Sequence, residues 1–370
     1  MNISRRRITL SVSPLLWLGL LLLLGSCKDK TTDSYYTVED FSTVPKVDVH
    51  VHINSSDRAL AEQAKEDNFL LLTINVDVPD YPTIAQQVAY ATAQQAELPQ
   101  QVYFLSTFGT EQIGEEGWAD SVIDSLKTAH ERGSLGVKVW KNIGMVIKDG
   151  ENEFIHIDDP VFDPVFDFLE ENGIPVCGHI GEPRNCWLPL GEMTVNNDRN
   201  YYEKHPQYHM YHHPEYPSHE DLVSARDRLL DKHPDLKFIG THLGSMEWNV
   251  DEIAKRLDKY PNMAVDLTAR ISHLQHQSLS DRNRIRDFFI RYQDRIMYGT
   301  DLHVTEGQDP AQVRRNAHQT WMRDWQYLVT QDSMENNLVN GRFKGLGLPQ
   351  EVVDKVYFKN AHTWYSIGSN

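Results

Sequence analysis

The 370-residue sequence has few cysteines and few basic residues, and it has no internal repeat or low-complexity tract. Three cysteines cannot build a disulfide scaffold, so stability must come from a hydrophobic core, which a chain of this length can bury. The 36 lysines and arginines are outnumbered by 53 aspartates and glutamates, which leaves a net charge of -17 at pH 7. Nucleic acids and anionic membrane surfaces are bound through basic patches. The charge balance therefore disfavours both as partners and favours a soluble enzyme or a protein that binds small molecules.

The strongly hydrophobic run of the sequence lies near its N-terminus. Arg5, Arg6 and Arg7 precede apolar residues 15–24, and Gly25-Ser26-Cys27 follows them. This order is typical of an export signal, and the cysteine directly after it resembles the lipobox of bacterial lipoproteins. A membrane span needs about 20 apolar residues, so the short run favours a lipoprotein signal over a transmembrane anchor. Export by the twin-arginine route is a minor alternative.

These features predict three segments. Residues 1–26 are expected to be removed as a signal peptide, and Cys27 is expected to carry the lipid that anchors the chain in the cell envelope. Lys28 is not the aspartate that retains some lipoproteins at the inner membrane, which favours the outer membrane. Residues 27–44 are polar and aperiodic, as in a flexible tether, and residues 45–370 form a single domain. The sequence holds no signal for an oligomeric state.

Beyond residue 45, short apolar segments alternate with longer amphipathic ones. Eight segments are rich in apolar residues, as expected for parallel strands covered on both faces. They are Val47–Ile53, Phe69–Val76, Val102–Thr107, Gly136–Trp140, Ile174–His179, Leu236–His242, Met263–Thr268 and Arg295–Asp301. Helical periodicity appears between them, at Tyr81–Leu98, Trp118–Arg132, Pro164–Asn172, Ser218–His233 and Ser280–Tyr292.

This alternation predicts an α/β protein, a (β/α)8 TIM barrel with eight parallel strands. An open dinucleotide-binding sheet, the main alternative, would carry a glycine-rich turn after its first strand, and none is present. Gly181–Pro217 after the fifth strand and His303–Gly345 after the eighth exceed ordinary connections. Both leave the carboxyl ends of strands, where barrels keep their active sites. We therefore expect both segments to be loop insertions that serve as lids.

Four of the predicted strands end in histidine or aspartate. His50 and His52 are two residues apart on the first strand, so they point to the same side. His179 ends the fifth strand, His242 the sixth and Asp301 the eighth. Because a barrel brings these strand ends together around one axis, we expect the five side chains to form one site. Imidazole and carboxylate groups are common ligands of zinc.

This ordered set of residues resembles the amidohydrolase superfamily, and more closely its amidohydrolase-related branch of hydrolases, lactonases and decarboxylases. The resemblance extends from about Lys46 to the Lys359-Asn360-Ala361-His362 segment. It implies a divalent metal, usually zinc, and it implies that His242 binds a second metal or stabilises the transition state. The metal ligands implied by the resemblance are His50, His52, His179 and Asp301.

Lys138, on the fourth strand, lies where many relatives carry a carbamylated lysine between two metals. Other members of the branch have no such lysine and use one metal, so one ion and two ions are both open. A structural alternative is a barrel-interior lysine that is paired with a carboxylate.

Metal-bound water ionises near pH 7, and Asp301 can take its proton and later return it to the leaving group. We expect a hydrolase of a small ester, lactone or amide. A lyase, either a decarboxylase or a hydratase, on the same site is the alternative, because metal ligands alone do not determine the reaction. A lipid-tethered binding module without activity is the second alternative.

Three further residues are candidates for the substrate pocket. Arg270, just after the seventh strand, is suited to clamp a substrate carboxylate, and its alternative role is a salt bridge at the rim. Glu182 follows His179 closely enough to orient the metal ligands or to line the pocket. Trp140 is a candidate wall for a ring-shaped substrate, with the pinning of a loop as its alternative.

Two other groups invite a functional interpretation that we do not favour. Cys177 and Cys186 would be able to pair in an oxidising envelope, but two buried free thiols are the preferred interpretation. The four histidines within residues 205–213 fit no single helix or strand face. We therefore interpret them as loop residues and not as a metal-binding tract.

Overall fold

The computed structural model describes residues 34–79 and 81–367 of the chain. The expected signal peptide, the expected lipidation site at Cys27 and residues 28–33 of the expected tether lie outside the described residues. Within those two ranges, no helix combines the length and the apolar character needed to cross a bilayer.

The described residues contain a large parallel sheet and a small hairpin. The strands are β1 (Lys46–Asn54), β2 (Phe69–Ile74), β3 (Val102–Thr107), β4 (Ser134–Val139), β5 (Val176–Gly178), β6 (Phe238–Gly240), β7 (Met263–Asp266), β8 (Ile296–Met297), β9 (Leu302–Thr305), β10 (Ser333–Asn336) and β11 (Val339–Lys344). The large sheet has the order β8-β7-β6-β5-β4-β3-β2-β1-β9, and β10 and β11 form the antiparallel hairpin. The predicted α/β class with a parallel sheet is confirmed.

Helices connect most of the strands. They are α1 (Ala59–Glu66), α2 (Ile84–Glu97), α3 (Trp118–Glu131), α4 (Asn142–Met145), α5 (Asp163–Glu171), α6 (Asn196–Lys204), α7 (His219–Lys232), α8 (Thr241–Gly244), α9 (Val250–Lys259), α10 (Ile271–Arg291), α11 (Pro310–Val329), α12 (Gln350–Asp354) and α13 (Asn360–Tyr365), with a π-helical turn at Lys355–Lys359. Short 3-10 helices lie at Val38–Ser42, Pro160–Phe162, Arg184–Trp187, Leu190–Glu192, Pro206–Tyr208 and Met210–His212. Reciprocal capping bonds start α2 at Thr83 and α7 at Ser218.

Only Ile296–Met297 of the predicted eighth strand is a strand, and a further strand, β9, follows it, so the large sheet has nine strands where we expected eight. The four residues between β8 and β9 include Asp301, whose φ of 72° lies in the left-handed region and interrupts the strand. β8 and β9 lie at opposite edges of the sheet, and this short link joins them. Val49 N donates to Tyr298 O at 3.0 Å, and Asp301 N donates to His50 O at 2.8 Å. The sheet therefore curls until its two edges meet at β1.

A bulge in β1 determines where its histidines point. Val47 and Val49 pack in the cluster on the inner face of the curled sheet, together with residues of the C-terminal segment. In a regular strand, residues 50 and 52 would face the opposite side from Val49. The pairing with β2 shifts by one residue between Asp48 and Val51, which is a β-bulge. Because of this extra residue, His50 and His52 share the inner face with the valines.

The segment after the predicted eighth strand is not a loop insertion. It contains β9, the 20-residue helix α11 and the hairpin. α11 packs beside α1, and its Trp321 and Trp325 are fully buried. A helix that buries two indoles is part of the core, which differs from the expected lid. Gly181–Pro217 is closer to the expectation, since it contains α6, short 3-10 helices and irregular chain.

Part of the expected tether is packed against the domain. Phe41 and Val44 are buried, and Trp325 Nε1 donates to Thr37 O at 3.0 Å. Lys46 Nζ donates to Val44 O at 2.6 Å and also to Phe41 O. Residues 34–44 are therefore part of the folded domain, because their few apolar side chains pack in the core. The polar composition of the segment does not predict this packing.

Candidate metal centre

Five side chains from the ends of four strands meet at the carboxyl edge of the curled sheet. Asp301 Oδ1 lies 3.2 Å from His52 Nε2 and 3.7 Å from His50 Nε2. The rings of His50 and His242 are 5.3 Å apart between centroids, and those of His179 and His242 are 4.1 Å apart. The structure thus brings together all five residues that we expected to form one site.

Backbone carbonyls orient two of the imidazoles. His52 Nδ1 lies 2.9 Å from Ile74 O, and His242 Nδ1 lies 3.0 Å from Thr268 O. A carbonyl oxygen only accepts hydrogen bonds, so the proton is at Nδ1 and Nε2 carries a lone pair. His179 Nε2 is buried and has no hydrogen-bond partner within the described residues. Three nitrogen atoms at the centre are therefore available as ligands.

Asp266 orients the fourth imidazole, and our reading of the sequence overlooked it. Its Oδ2 lies 3.2 Å from His50 Nδ1, and its Oδ1 accepts from the backbone N–H of His242 at 2.8 Å and of Thr268 at 3.2 Å. The carboxylate is fully buried. An ionisable residue inside the apolar segment Met263–Thr268 was the available signal, since such a group needs a specific partner.

Burial keeps the imidazoles neutral. It lowers the pKa of His52 to about 3 and, together with the positive charge of Lys138, lowers the pKa of His50. The pKa of His242 is well below its usual value because of burial and the nearby Arg270. A neutral imidazole is the form that binds a metal, so these rings are in the ligating state at neutral pH.

His303 is a further member of the centre that we did not identify from the sequence. Its Nε2 lies 3.6 Å from Asp301 Oδ1, and its ring stacks on His52 with centroids 4.5 Å apart. Burial opposes ionisation of Asp301, but the neighbouring imidazoles of His303 and His52 hold its pKa well below the usual value. The signal was present: Asp301-Leu302-His303 repeats the spacing of two residues seen in His50 and His52.

Among the described residues, four triads have ligand atoms that all lie within 4.8 Å of one another, and two of these triads contain Asp301. One is His50, His242 and Asp301, and the other is His52, His303 and Asp301. Atoms bound to one zinc ion at about 2.0–2.2 Å are themselves roughly 3–4 Å apart, so both triads fit a divalent ion. His179 belongs to neither triad. The ligand set His50, His52, His179 and Asp301 that the resemblance implied therefore stays a prediction.

Lys138 faces the centre without a neutralising partner. Its Nζ is buried, 3.4 Å from His50 Nε2 and 3.9 Å from Cys177 Sγ. In the described part of the chain, no carboxylate forms an ion pair with it. The alternative of a paired structural lysine is therefore not what the structure shows. Cys177 and Cys186 are both free and buried, as we expected.

Arg270 is buried beside the centre and is only partly satisfied. Nη1 donates to Ala269 O at 3.1 Å, and Nε has no partner among the described residues. Although burial opposes it, the charges of Asp198 and Glu247 raise the pKa of Arg270. No carboxylate contacts it closely enough for an ion pair within the ranges described, so the alternative of a rim salt bridge does not hold.

The other two expected pocket residues are held by a neighbouring lysine. Glu182 forms an ion pair with Lys141, and both side chains are largely buried. The Nζ of Lys141 also lies 5.6 Å from the ring centroid of Trp140, which packs against the inner cluster. Trp140 and Glu182 are therefore linked near the centre through Lys141, and neither belongs to a metal-ligating triad.

Several solved structures resemble this chain in fold at low sequence identity. A solved structure of an uncharacterized TIM-barrel protein from Bordetella bronchiseptica is 13% identical, with a TM-score of 0.51 over 88% of this chain and 100% of that one. A 2,6-dihydroxybenzoate decarboxylase from Rhizobium is 14% identical, with a TM-score of 0.49 over 87% and 99%. A 5-carboxyvanillate decarboxylase from Novosphingobium aromaticivorans, complexed with manganese, is 11% identical, with a TM-score of 0.49 over 88% and 97%.

At such identities, the likeness to the Bordetella structure concerns the fold alone, and it agrees with the expected TIM-barrel architecture. No curated protein matches the sequence significantly. The model of one family, described as amidohydrolase, matches residues 116–367, about two thirds of the chain. The histidine and aspartate centre at the strand ends agrees with that match, and the chain belongs to this amidohydrolase family.

Proposed function

We propose that this protein is a metal-dependent hydrolase of a small ester, lactone or amide. The observation that carries the proposal is the convergence of imidazole Nε2 atoms on Asp301 Oδ1, with Nδ1 of His52 and His242 occupied by backbone carbonyls. Nitrogen and oxygen donors in this combination suit zinc, which we propose as the ion.

The ligands, Asp301 and Lys138 would have different roles in the reaction. A divalent ion held by these ligands would lower the pKa of its water towards about 7 and polarise a substrate carbonyl. The closest contacts of the Asp301 carboxylate with His50, His52 and His303 involve Oδ1. The carboxylate of Asp301 would accept the proton of the attacking water and deliver it to the leaving group. The ammonium of Lys138, beside His50, adds positive charge where negative charge develops.

A lyase is the second candidate, and Arg270 favours it. A buried guanidinium with an unused Nε–H is suited to bind a carboxylate of the substrate, which a decarboxylase or hydratase of an organic acid requires. Arg270→Met should raise KM for carboxylated substrates about 10-fold or more and leave neutral esters unaffected, because only the former lose a charge-assisted hydrogen bond. An equal effect on both substrate classes would contradict a clamp.

The test of the main proposal uses the mature chain without a polyhistidine tag. Aryl esters, lactones and anilides are assayed for hydrolysis, and phenolic acids for release of carbon dioxide, with the zinc-loaded protein and after chelation. We expect turnover that chelation abolishes and zinc restores. His52→Ala should lose turnover and keep the unfolding midpoint of the metal-free wild type, whereas His212→Ala, which alters an exposed histidine outside both triads, should keep turnover.

Two outcomes would redirect the interpretation. Unchanged turnover in His52→Ala would contradict a metal mechanism at this centre. A chain that binds no metal and keeps ordinary thermal stability would favour the non-catalytic binding module.

We also propose that the mature chain is tethered to the cell envelope, with the outer membrane as its expected site, through a lipid on Cys27. The support is the order of basic, apolar and small residues before that cysteine. Metabolic labelling with a radioactive fatty acid should mark the wild type and not Cys27→Ser. Equal labelling of both proteins, or of neither, would contradict the tether.

A further inference from the structure

An open cavity adjoins the candidate centre on the side of β9. It has a volume of about 180 Å³ and lies between α1, β9 and the start of α11. His303 lines this cavity, and the Nε2 atom of the same side chain is 3.6 Å from Asp301 Oδ1. One side chain therefore extends from the cavity to the candidate metal ligands.

We propose that this cavity binds an uncharged, ring-sized group of the substrate, next to the ester, lactone or amide bond that is cleaved. The inference rests on the proposed hydrolysis and names the class of substrate for it. It concerns a different part of the site from the candidate carboxylate clamp, since Arg270 is not among the described residues that line the cavity.

Aliphatic side chains form the inner wall of the cavity. Leu60 and Val304 are buried, and Leu302 and Val313 are partly buried. A cavity of roughly 150 Å³ with an aliphatic lining holds one benzene molecule. The volume beside β9 therefore suits a phenyl ring or a branched alkyl group of similar size, and burial of that group against the inner wall stabilises the bound substrate.

The outer residues of the cavity select against a negative charge. Three exposed side chains are amides, those of Gln308, Gln312 and Asn316. Asp309 is a carboxylate, and its partner Arg315, at 3.8 Å, does not line the cavity. In the part of the chain that the structure describes, no lysine or arginine lines it. A carboxylate or phosphate group would lose water there without gaining a cation, so an uncharged group binds better.

His303 is fixed at the end of the cavity that faces the centre. Its ring stacks on that of His52 with centroids 4.5 Å apart, and its Nδ1 lies 2.7 Å from the OH of Tyr81. A group bound in the cavity therefore reaches the centre past a positioned imidazole, which restricts how the scissile bond approaches the ligands.

The test compares small methyl and benzyl esters with the zinc-loaded protein, and the acid released is titrated at constant pH. Methyl acetate has no ring, methyl phenylacetate has the ring on the acyl side, and benzyl acetate has it on the alcohol side. We expect kcat/KM for one of the ring esters to exceed that for methyl acetate about 10-fold or more, since a single methylene in a hydrophobic pocket changes kcat/KM by about that factor. The same ring ester with a 4-carboxy group should lose this advantage.

Two variants alter the cavity in different ways. Val313→Trp fills it and should remove most of the advantage of the ring ester over methyl acetate. Gln312→Lys adds a cation at the exposed rim and should raise kcat/KM for the 4-carboxy ester about 3-fold relative to the uncharged one. Damage to the fold would not produce such a gain. Val146→Trp, the same replacement at an exposed valine, is the matched control and should retain the preferences of the wild type.

A binding measurement on the metal-free protein does not depend on turnover. The probe is 4-fluorobenzyl alcohol, an uncharged ring without a bond to hydrolyse, observed by fluorine nuclear magnetic resonance. Its signal should broaden with the wild type and with Val146→Trp, and it should stay sharp with Val313→Trp.

The outcomes separate this inference from the proposed function. Ester turnover without a preference for the uncharged ring, or with a preference that Val313→Trp retains, would overturn the inference and leave the proposed function intact. Equal broadening of the probe by Val313→Trp and Val146→Trp would also overturn it. No turnover of any ester, together with probe binding that Val313→Trp removes, would support the cavity and contradict the proposed hydrolysis.

Discussion

At the scale of single residues, Asp266 orients two parts of the candidate centre. It accepts a hydrogen bond at Oδ2 from His50 and at Oδ1 from the backbone of His242, so one carboxylate orients parts of two strand ends. Its negative charge also makes His50 a more basic ligand. We regard Asp266 as a positioning residue.

We expect Asp266→Asn to weaken zinc binding about 10- to 100-fold, because the neutral amide no longer polarises His50. Competition with a chromophoric chelator measures the affinity. The variant should keep its circular dichroism spectrum, since an amide oxygen still accepts the bond from His242 N. A zinc affinity equal to that of the wild type would show that the charge of Asp266 does not contribute to metal binding.

At the scale of elements, α11 packs as part of the hydrophobic core of the domain. Trp321 is fully buried, stacks on Phe69 with centroids 4.5 Å apart and donates from Nε1 to Asp48 Oδ2 at 2.9 Å. Asp48 in turn accepts from Thr300 Oγ1 at 2.6 Å, next to Asp301. The helix that we had expected within a lid therefore supports the link that carries Asp301.

Trp321→Ala should lower the free energy of unfolding by about 3–5 kcal/mol, the usual cost of removing a large buried side chain. Urea denaturation measures it. Gln319→Ala, on the exposed face of the same helix, should change the value by less than about 0.5 kcal/mol. If the two variants lost similar small amounts, α11 would be a detachable lid after all.

The N-terminal segment is held by a buried amine that titrates. Burial lowers the pKa of Lys46 from 10.5 to about 7, so the unfolded chain binds more protons than the folded one between these values. Stability contributed by this group therefore rises with pH across that window. Nζ bonds the carbonyls of Phe41 and Val44 in either protonation state, since a neutral amine still donates.

Between pH 7 and pH 9, the wild type should gain about 2 kcal/mol of unfolding free energy relative to Lys46→Met, from the difference between the two pKa values. Denaturation of both proteins at several pH values measures the difference. Parallel curves would indicate that Lys46 has an ordinary pKa in the folded chain.

At the scale of the whole molecule, a bound metal would connect the strand ends that the sheet brings together. The candidate ligands come from β1, β9, helix α8 directly after β6 and the link between β8 and β9. An unfolded chain separates these ligands by up to about 250 positions, so binding favours the folded state.

Free zinc at 100 times its dissociation constant should raise the free energy of unfolding by about 2.7 kcal/mol, and chelation should remove this gain. Calorimetry with and without zinc measures the shift, and His50→Ala is the control that should not respond. A stabilisation of the same size in that variant would place the ion at another site.

The sequence by itself determined the alternation of strands and helices, the parallel sheet and the convergence of His50, His52, His179, His242 and Asp301. These follow from local hydrophobic periodicity and from the rule that parallel strands share their carboxyl ends. The family resemblance rested on the same residues, and the family match supports it.

Only the tertiary structure decided which side of the strand the histidines occupy, because the bulge in β1 depends on how that strand pairs with β2. It also decided that Asp301 interrupts the last strand and that His303 and Asp266 join the centre. These features arise between residues distant in sequence, where pairing and burial outweigh local preference. For the same reason, the composition of residues 34–44 predicts a tether, whereas in the folded chain their apolar side chains pack in the core.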